Sequence, residues 1–164
     1  MIGLTATASP NVSDDIVAEF NSFKKRTLLI SAYSLERKEL NLVPLEFGSN
    51  RDKFDWLKGF VDENKELNDK TVVFTKFAGV PLESFPSSCK YLQSEMSAYT
   101  KIADETIDYY TSEDKNESEY NNSVKLQNFK TGRTRLLFST KAFGMGVNIP
   151  DIRNTIHYGL PASI

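Results

Sequence analysis

Leu136-Leu137-Phe138-Ser139-Thr140-Lys141-Ala142-Phe143-Gly144-Met145-Gly146-Val147-Asn148-Ile149-Pro150-Asp151-Ile152-Arg153 decides how the rest of the chain is read. An apolar run that ends in two hydroxyl residues reads as a buried strand leaving a sheet. A turn punctuated by Gly144 and Gly146 follows, and Ile149-Pro150 leads into a second apolar run, Thr155-Ile156-His157-Tyr158. Such a strand, in a parallel sheet, delivers the chain to the carboxyl edge, where α/β folds place their ligands. Gly144 and Gly146 permit positive φ and close backbone approach to a phosphate or sugar. Thr140 supplies a hydroxyl at the strand end, and the amides that follow can bind an anion at a helix start or nest.

Outward from this stretch, short β-like runs alternate with helical periods, the pattern of an α/β fold with a mainly parallel sheet. Ser9-Pro10 opens a helix, with Ser9 as N-cap, Asp14 and Asp15 in its first turn, and Val12, Ile16, Phe20 and Phe23 on one face. Lys24, Lys25 and Arg26 close it, at the end where the helix dipole favours cations. Strands are expected over Thr27–Ser31, around Leu40, Leu42 and Leu45 at an edge or bulge because of Pro44, and over Thr71–Thr75 as a buried central strand. Phe54, Leu57, Phe60 and Val61 form a second helical stripe. Gly79, Pro81 and Pro86 break regular structure before a helix that begins near Ser87 and carries Tyr91, Leu92 and Met96. Thr106–Tyr110 reads as a strand, and the acidic, asparagine-rich Ser112–Ser123 as a loop or frayed helix start. Helical spacing returns over Val124–Phe129 with Gly132 as C-cap, and the strands Arg135–Phe138 and Asn154–Tyr158 follow.

Of 164 residues, 40% are hydrophobic and 26% charged, enough to bury a core, and one domain is the expectation for this length. The formal net charge of −2 lacks the basic excess of a free-standing nucleic-acid binder, so any such contact must come from a local surface. A single cysteine, Cys89, forms no internal disulfide and reads as a small half-buried helix residue. One histidine, His157, argues against a metal site or a histidine-based triad and fits a polar residue at a sheet edge. No apolar run approaches the ~20 residues that cross a bilayer, so the expectation is an intracellular protein without a membrane partner, nuclear in a eukaryote and otherwise cytoplasmic.

Near the other end stands Gly3-Leu4-Thr5-Ala6-Thr7-Ala8-Ser9-Pro10, in which small and hydroxyl residues make a tight polar joint after a strand. Taken together, the two stretches resemble motifs III and V of superfamily 2 helicases, and Ala142-Phe143-Gly144-Met145-Gly146 is similar to the RecQ type. Ser34-Leu35-Glu36-Arg37 resembles the segment that enters the second lobe, and Thr71–Lys76 resembles motif IV. The resemblance departs at two places. Asn148 stands where RecQ-type chains carry aspartate, keeping hydrogen-bonding geometry without the charge. Ile107-Asp108-Tyr109-Tyr110-Thr111 stands where they carry Tyr-His-Ala-Gly.

The resemblance implies a RecA-like, P-loop NTPase-like α/β lobe: a mainly parallel sheet flanked by helices, incomplete as a lobe. Residues 1–26 would end a first RecA-like lobe, and residues 27–164 would form most of the second, stopping before motif VI. The implied activity is ATP-dependent 3′-to-5′ DNA unwinding. The implied roles are nucleotide contact for Gly146 and Asn148, nucleic-acid contact for Thr75, Lys76, Thr140 and Lys141, and inter-lobe coupling for Thr5 and Thr7. ATP and Mg²⁺ belong to the complete family enzyme. This chain has no Gly-x-x-x-x-Gly-Lys-(Ser/Thr) loop, so it is expected to bind neither stably and to hold no catalytic residue by itself. The implied partners are single-stranded or duplex-junction DNA and a first helicase lobe. A non-catalytic remnant that serves as a binding module is the alternative.

Overall fold

The computed structural model describes residues 10–22, 38–64, 69–79, 87–100, 106–111, 119–144 and 147–159. The chain divides into two compact units, Met1–Pro44 and Leu45–Ile164. In the first, helix α1 spans Pro10–Ser22. Proline suits the first helical position because the N–H it lacks would have no partner there. With the helix starting at Pro10, Asp14 and Asp15 fall beyond the first turn and not within it as expected. Thr5, Thr7, Arg37, the basic run Lys24–Arg26 and the strand expected over Thr27–Ser31 lie outside the described residues.

The strand expected around Leu40, Leu42 and Leu45 is not formed: residues 40–47 have no regular structure, and Leu42 is 86% exposed. Pro44 has no N–H to give a ladder, and the segment serves instead as the approach to a helix. That helix, α2 (Asn50–Glu63), is capped by Ser49, whose side chain accepts from the Asp52 amide at 3.1 Å and donates to the Asp52 carboxylate at 2.8 Å. The pair satisfies an orphan first-turn amide and sets the helix start.

Among the described residues four parallel strands follow: β1 (Lys70–Phe74), β2 (Ile107–Tyr110), β3 (Leu136–Ser139) and β4 (Ile152–His157), in spatial order β2-β3-β1-β4. Helix α3 (Cys89–Thr100) joins β1 to β2, and α4 (Glu119–Thr131) joins β2 to β3. α4 begins inside the stretch read as a loop or frayed helix start, earlier than its apolar spacing indicates. Gly132 ends it in the left-handed region, φ +79°, with its amide donating to the Phe129 carbonyl at 3.2 Å.

Side chains alternate across the sheet. Val73, Leu136, Phe138 and Ile107 pack with Leu57 of α2 and with Leu92 and Met96 of α3. Val72 and Leu137 pack on the other side with Phe129 of α4, Phe143 and Ile149. Burying each such side chain stabilises the fold by about 1.5–3 kcal/mol, and both inner strands are covered on two faces, which explains their nearly continuous apolar runs. The crossover through α3 runs one way along the sheet on one face. The return through α4 and the 140–151 connection run the opposite way on the other face, so all three crossovers share one hand, as parallel sheets require.

Candidate functional site

Parallel strands present all their carboxyl ends on one edge, and here those ends are level. Phe74 pairs with Ser139 and with His157, and Ser139 pairs with Tyr110. The next residue on each strand is therefore Thr111, Thr140, Thr75 or Tyr158, four hydroxyl-bearing side chains in one row. The backbone holds the row: the Thr75 amide donates to the Ser139 carbonyl at 2.8 Å, and the Tyr158 amide to the Phe74 carbonyl at 2.8 Å. Ser139 Oγ donates to the Tyr110 carbonyl at 2.7 Å, tying β3 to β2 at the same level.

Thr75 and Thr140, both expected to contact phosphate, stand on adjacent strands and are buried. Their hydroxyls are used differently. Thr75 Oγ1 donates to the Phe77 carbonyl at 2.9 Å and lies 2.9 Å from Cys89 Sγ, so it shapes the turn into α3. Thr140 Oγ1 accepts from the Ala142 amide at 3.5 Å, and the Thr140 carbonyl accepts from the Phe143 amide at 3.2 Å. These bonds start a 3₁₀ turn, Lys141–Gly144. Gly144 therefore does not use the positive φ that glycine permits; positive φ occurs, among the described glycines, at Gly79 and Gly132. Gly146 and Met145 lie outside the described residues.

Lys76 and Lys141, each one residue beyond its threonine, are exposed, and Lys76 Nζ stands 5.4 Å from the Phe77 ring centroid. Asn148 is exposed, between Val147 and Ile149, which pack against the face covered by α4. Cys89 is fully buried, not half-buried as expected, because the start of α3 is driven into the core beside Thr75. His157, on β4, the outermost of the described strands on its side of the sheet, stacks on Phe74 with ring centroids 5.3 Å apart.

Sequence reasoning missed Thr111, Ser88 and Tyr158 at this edge. Their hydroxyl oxygens are buried and have no hydrogen-bond partner among the described residues. The signal for Thr111 is the same strand-then-threonine wording that marks Thr75 and Thr140. Burial pushes the Tyr158 phenol up to about 12, with nearby Tyr91 and Asp55 adding to the effect, and Lys53 Nζ lies 5.0 Å from its ring centroid. Where the resemblance placed Tyr-His-Ala-Gly, Asp108 lies 3.6 Å from Lys125 Nζ, which stands 3.5 Å from the Tyr109 ring centroid. Among the described residues no group of three or more His, Cys, Asp or Glu side chains is arranged to hold a metal ion. Nor, among them, is any helix long and apolar enough to cross a membrane.

The profile of the helicase conserved C-terminal domain matches residues 52–164. ATP-dependent helicase wrn-1 of Caenorhabditis elegans is 29% identical over 164 residues, covering 100% of this chain and 14% of the relative. The RecQ-like DNA helicase BLM of Xenopus laevis is 26% identical over 171 residues, covering 100% of this chain and 11% of the relative. The chain thus spans a small part of the length of the relatives it matches. A solved structure of a variant of S. cerevisiae Dbp5 bound to RNA and ADP with BeF3 superposes with a TM-score of 0.68 at 14% identity, covering 96% of this chain and 36% of that one. That likeness concerns the fold, a RecA-like helicase lobe.

Proposed function

The chain belongs to the helicase conserved C-terminal domain family, with RecQ-type relatives, and from that premise we propose that it serves as the second RecA-like lobe of an ATP-dependent 3′-to-5′ DNA helicase. In this reading residues 1–26 end the first lobe, with Thr5 and Thr7 coupling the two. The level carboxyl edge is the observation that carries the reading: neighbouring strands deliver Thr75-Lys76 and Thr140-Lys141 side by side. The exposed ammonium groups of Lys76 and Lys141 neutralise backbone phosphates. Thr140 Oγ1 accepts from a backbone amide and donates its proton to a phosphate oxygen, while Thr75 holds the turn that presents Lys76. Contacts of this kind position a strand without reading its sequence. Gly146 and Asn148 face the nucleotide in the closed motor. When bound there, ATP supplies the free energy that drives grip and release.

A binding-only role is the second reading, and β2 favours it. The side chains standing in for the family's Tyr-His-Ala-Gly are engaged within the chain, Asp108 and Tyr109 with Lys125. Fluorescence anisotropy with a labelled single-stranded oligonucleotide, repeated over a salt series, tests the grip. The expected plot of log affinity against log salt slopes downward, and Lys76→Ala and Lys141→Ala each flatten it by about 0.7, one released counterion per phosphate on single strands. Binding that ignores salt, or slopes that both variants leave unchanged, would remove these lysines from the interface.

A further inference from the structure

Lys70 begins a central strand, is 4% exposed, and has no part in the function described above. A buried ammonium is costly unless paired and hydrogen-bonded. Its Nζ donates to Asp151 Oδ2 at 2.6 Å and to the Lys130 carbonyl at 2.9 Å, and stands 5.7 Å from the Phe129 ring centroid. One side chain thereby joins β1, the last turn of α4 and the residue that precedes β4.

Asp151 ends the segment that leaves the opposite edge of the sheet at Thr140. To reach β4, this connection must travel back along the strands, about 16 Å for a five-residue strand. Residues 147–149 have no regular structure on the way. Val147 and Ile149 pack on the face covered by α4, and the ammonium of Lys70 meets the chain at Asp151. At that point the β1–β4 register shifts: Ile152 pairs with Lys70 and Asn154 with Thr71, so Arg153 is an extra residue. Such a bulge interrupts the ladder, and the Lys70–Asp151 bond lies immediately before it. The Asp151 carboxyl is held below its ordinary value first by the hydrogen bond from Lys70, against some desolvation, with the charges of Lys70 and Arg153 also lowering it.

We propose that Lys70 is a positioning residue: through Asp151 it fixes the end of the 147–151 segment and so holds Asn148 in place on the sheet. The consequence for ligand binding rests on the function proposed above; the anchoring does not. Backbone ¹⁵N relaxation of the 164-residue chain, read residue by residue by NMR, tests the anchor without any ligand. Lys70→Met keeps the aliphatic stem and removes the ammonium, and Asp151→Asn keeps an acceptor and removes the charge. Each variant is expected to lower the order parameters of Asn148 and Ile149 from about 0.85 to below about 0.6 while Leu137 and Phe138 are unchanged. The double variant should be no more mobile there than Lys70→Met, because one interaction is lost in all three. A uniform drop across the sheet, no change at 148–149, or full additivity in the double variant would overturn the proposal. Should Lys70→Met fail to fold, Asp151→Asn carries the comparison, since its side chain is 54% exposed and its loss leaves no cavity. If the unaltered chain binds no single-stranded DNA while the relaxation pattern is as expected, the functional reading fails and the anchor stands.

Discussion

Gly79 is backed against Ser88 so closely that a Cβ on Gly79 would lie 2.1 Å from Ser88 Oγ and 2.2 Å from Ser88 Cβ. The pair closes the turn between β1 and α3, helped by the Cys89 amide donating to the Phe77 carbonyl at 3.0 Å. Gly79 also has φ +78°. Gly79→Ala therefore combines backbone strain with a clash, and should cost about 3 kcal/mol. At Gly132, also left-handed, the added Cβ would meet Lys70 Cε at an ordinary 3.9 Å, so Gly132→Ala should cost only about 1 kcal/mol. Urea unfolding of both variants checks the order; equal costs would mean that Ser88 yields without resistance.

Tyr158 carries a buried hydroxyl without a partner among the described residues, which is a net cost to the fold. Tyr158→Phe should leave stability unchanged or raise it by up to about 1 kcal/mol. The phenol is raised from 10.0 to about 12 by burial, then by Tyr91 and Asp55. A raised value means that the folded state favours the neutral phenol, so its contribution is complete below 10.0 and is lost as pH climbs towards 12. The unaltered chain should thus lose stability relative to Tyr158→Phe across that window in thermal melts, and parallel curves would show that Tyr158 ionises as readily folded as unfolded.

Asp151 titrates with the opposite sign. Its carboxyl is lowered from 3.8, chiefly by the hydrogen bond from Lys70. The stabilisation is present above the unfolded value and disappears as pH falls through the lower folded one. The gap in melting temperature between the unaltered chain and Asp151→Asn should be constant from neutrality to about pH 5 and close below about pH 4. A gap that persists at the acid end would assign the stabilisation to something other than the carboxylate.

How far the residues could be read in advance depended on the range of the interactions that decide them. β1 and β3 are legible because Val72, Val73, Leu137 and Phe138 are buried on two faces, which leaves an unbroken apolar run. Gly132 is legible because a left-handed cap has few alternatives to glycine. The segment around Leu42 misleads because its alternation suits a strand while Pro44 and the lack of a ladder partner among the described residues do not. The start of α4 is hidden because its first turns carry little apolar periodicity to signal them. At the candidate site, Thr75 and Thr140 were readable as the ends of apolar runs. The internal use of the Thr75 hydroxyl was not, since beside the local bond to the Phe77 carbonyl it meets Cys89, 14 residues away. The Lys70–Asp151 bond spans 81 residues and leaves no local trace.

The level row of strand ends has a consequence for how the chain tolerates change. Each hydroxyl residue is the first beyond its strand, so the pitch between neighbours is set by the sheet, about 4.8 Å, and not by the loops. Insertions in the connections can lengthen or shorten what hangs from this rim while its graduations keep their spacing. A single residue added inside a strand would instead turn its terminal side chain to the opposite face and blank one mark on the ruler.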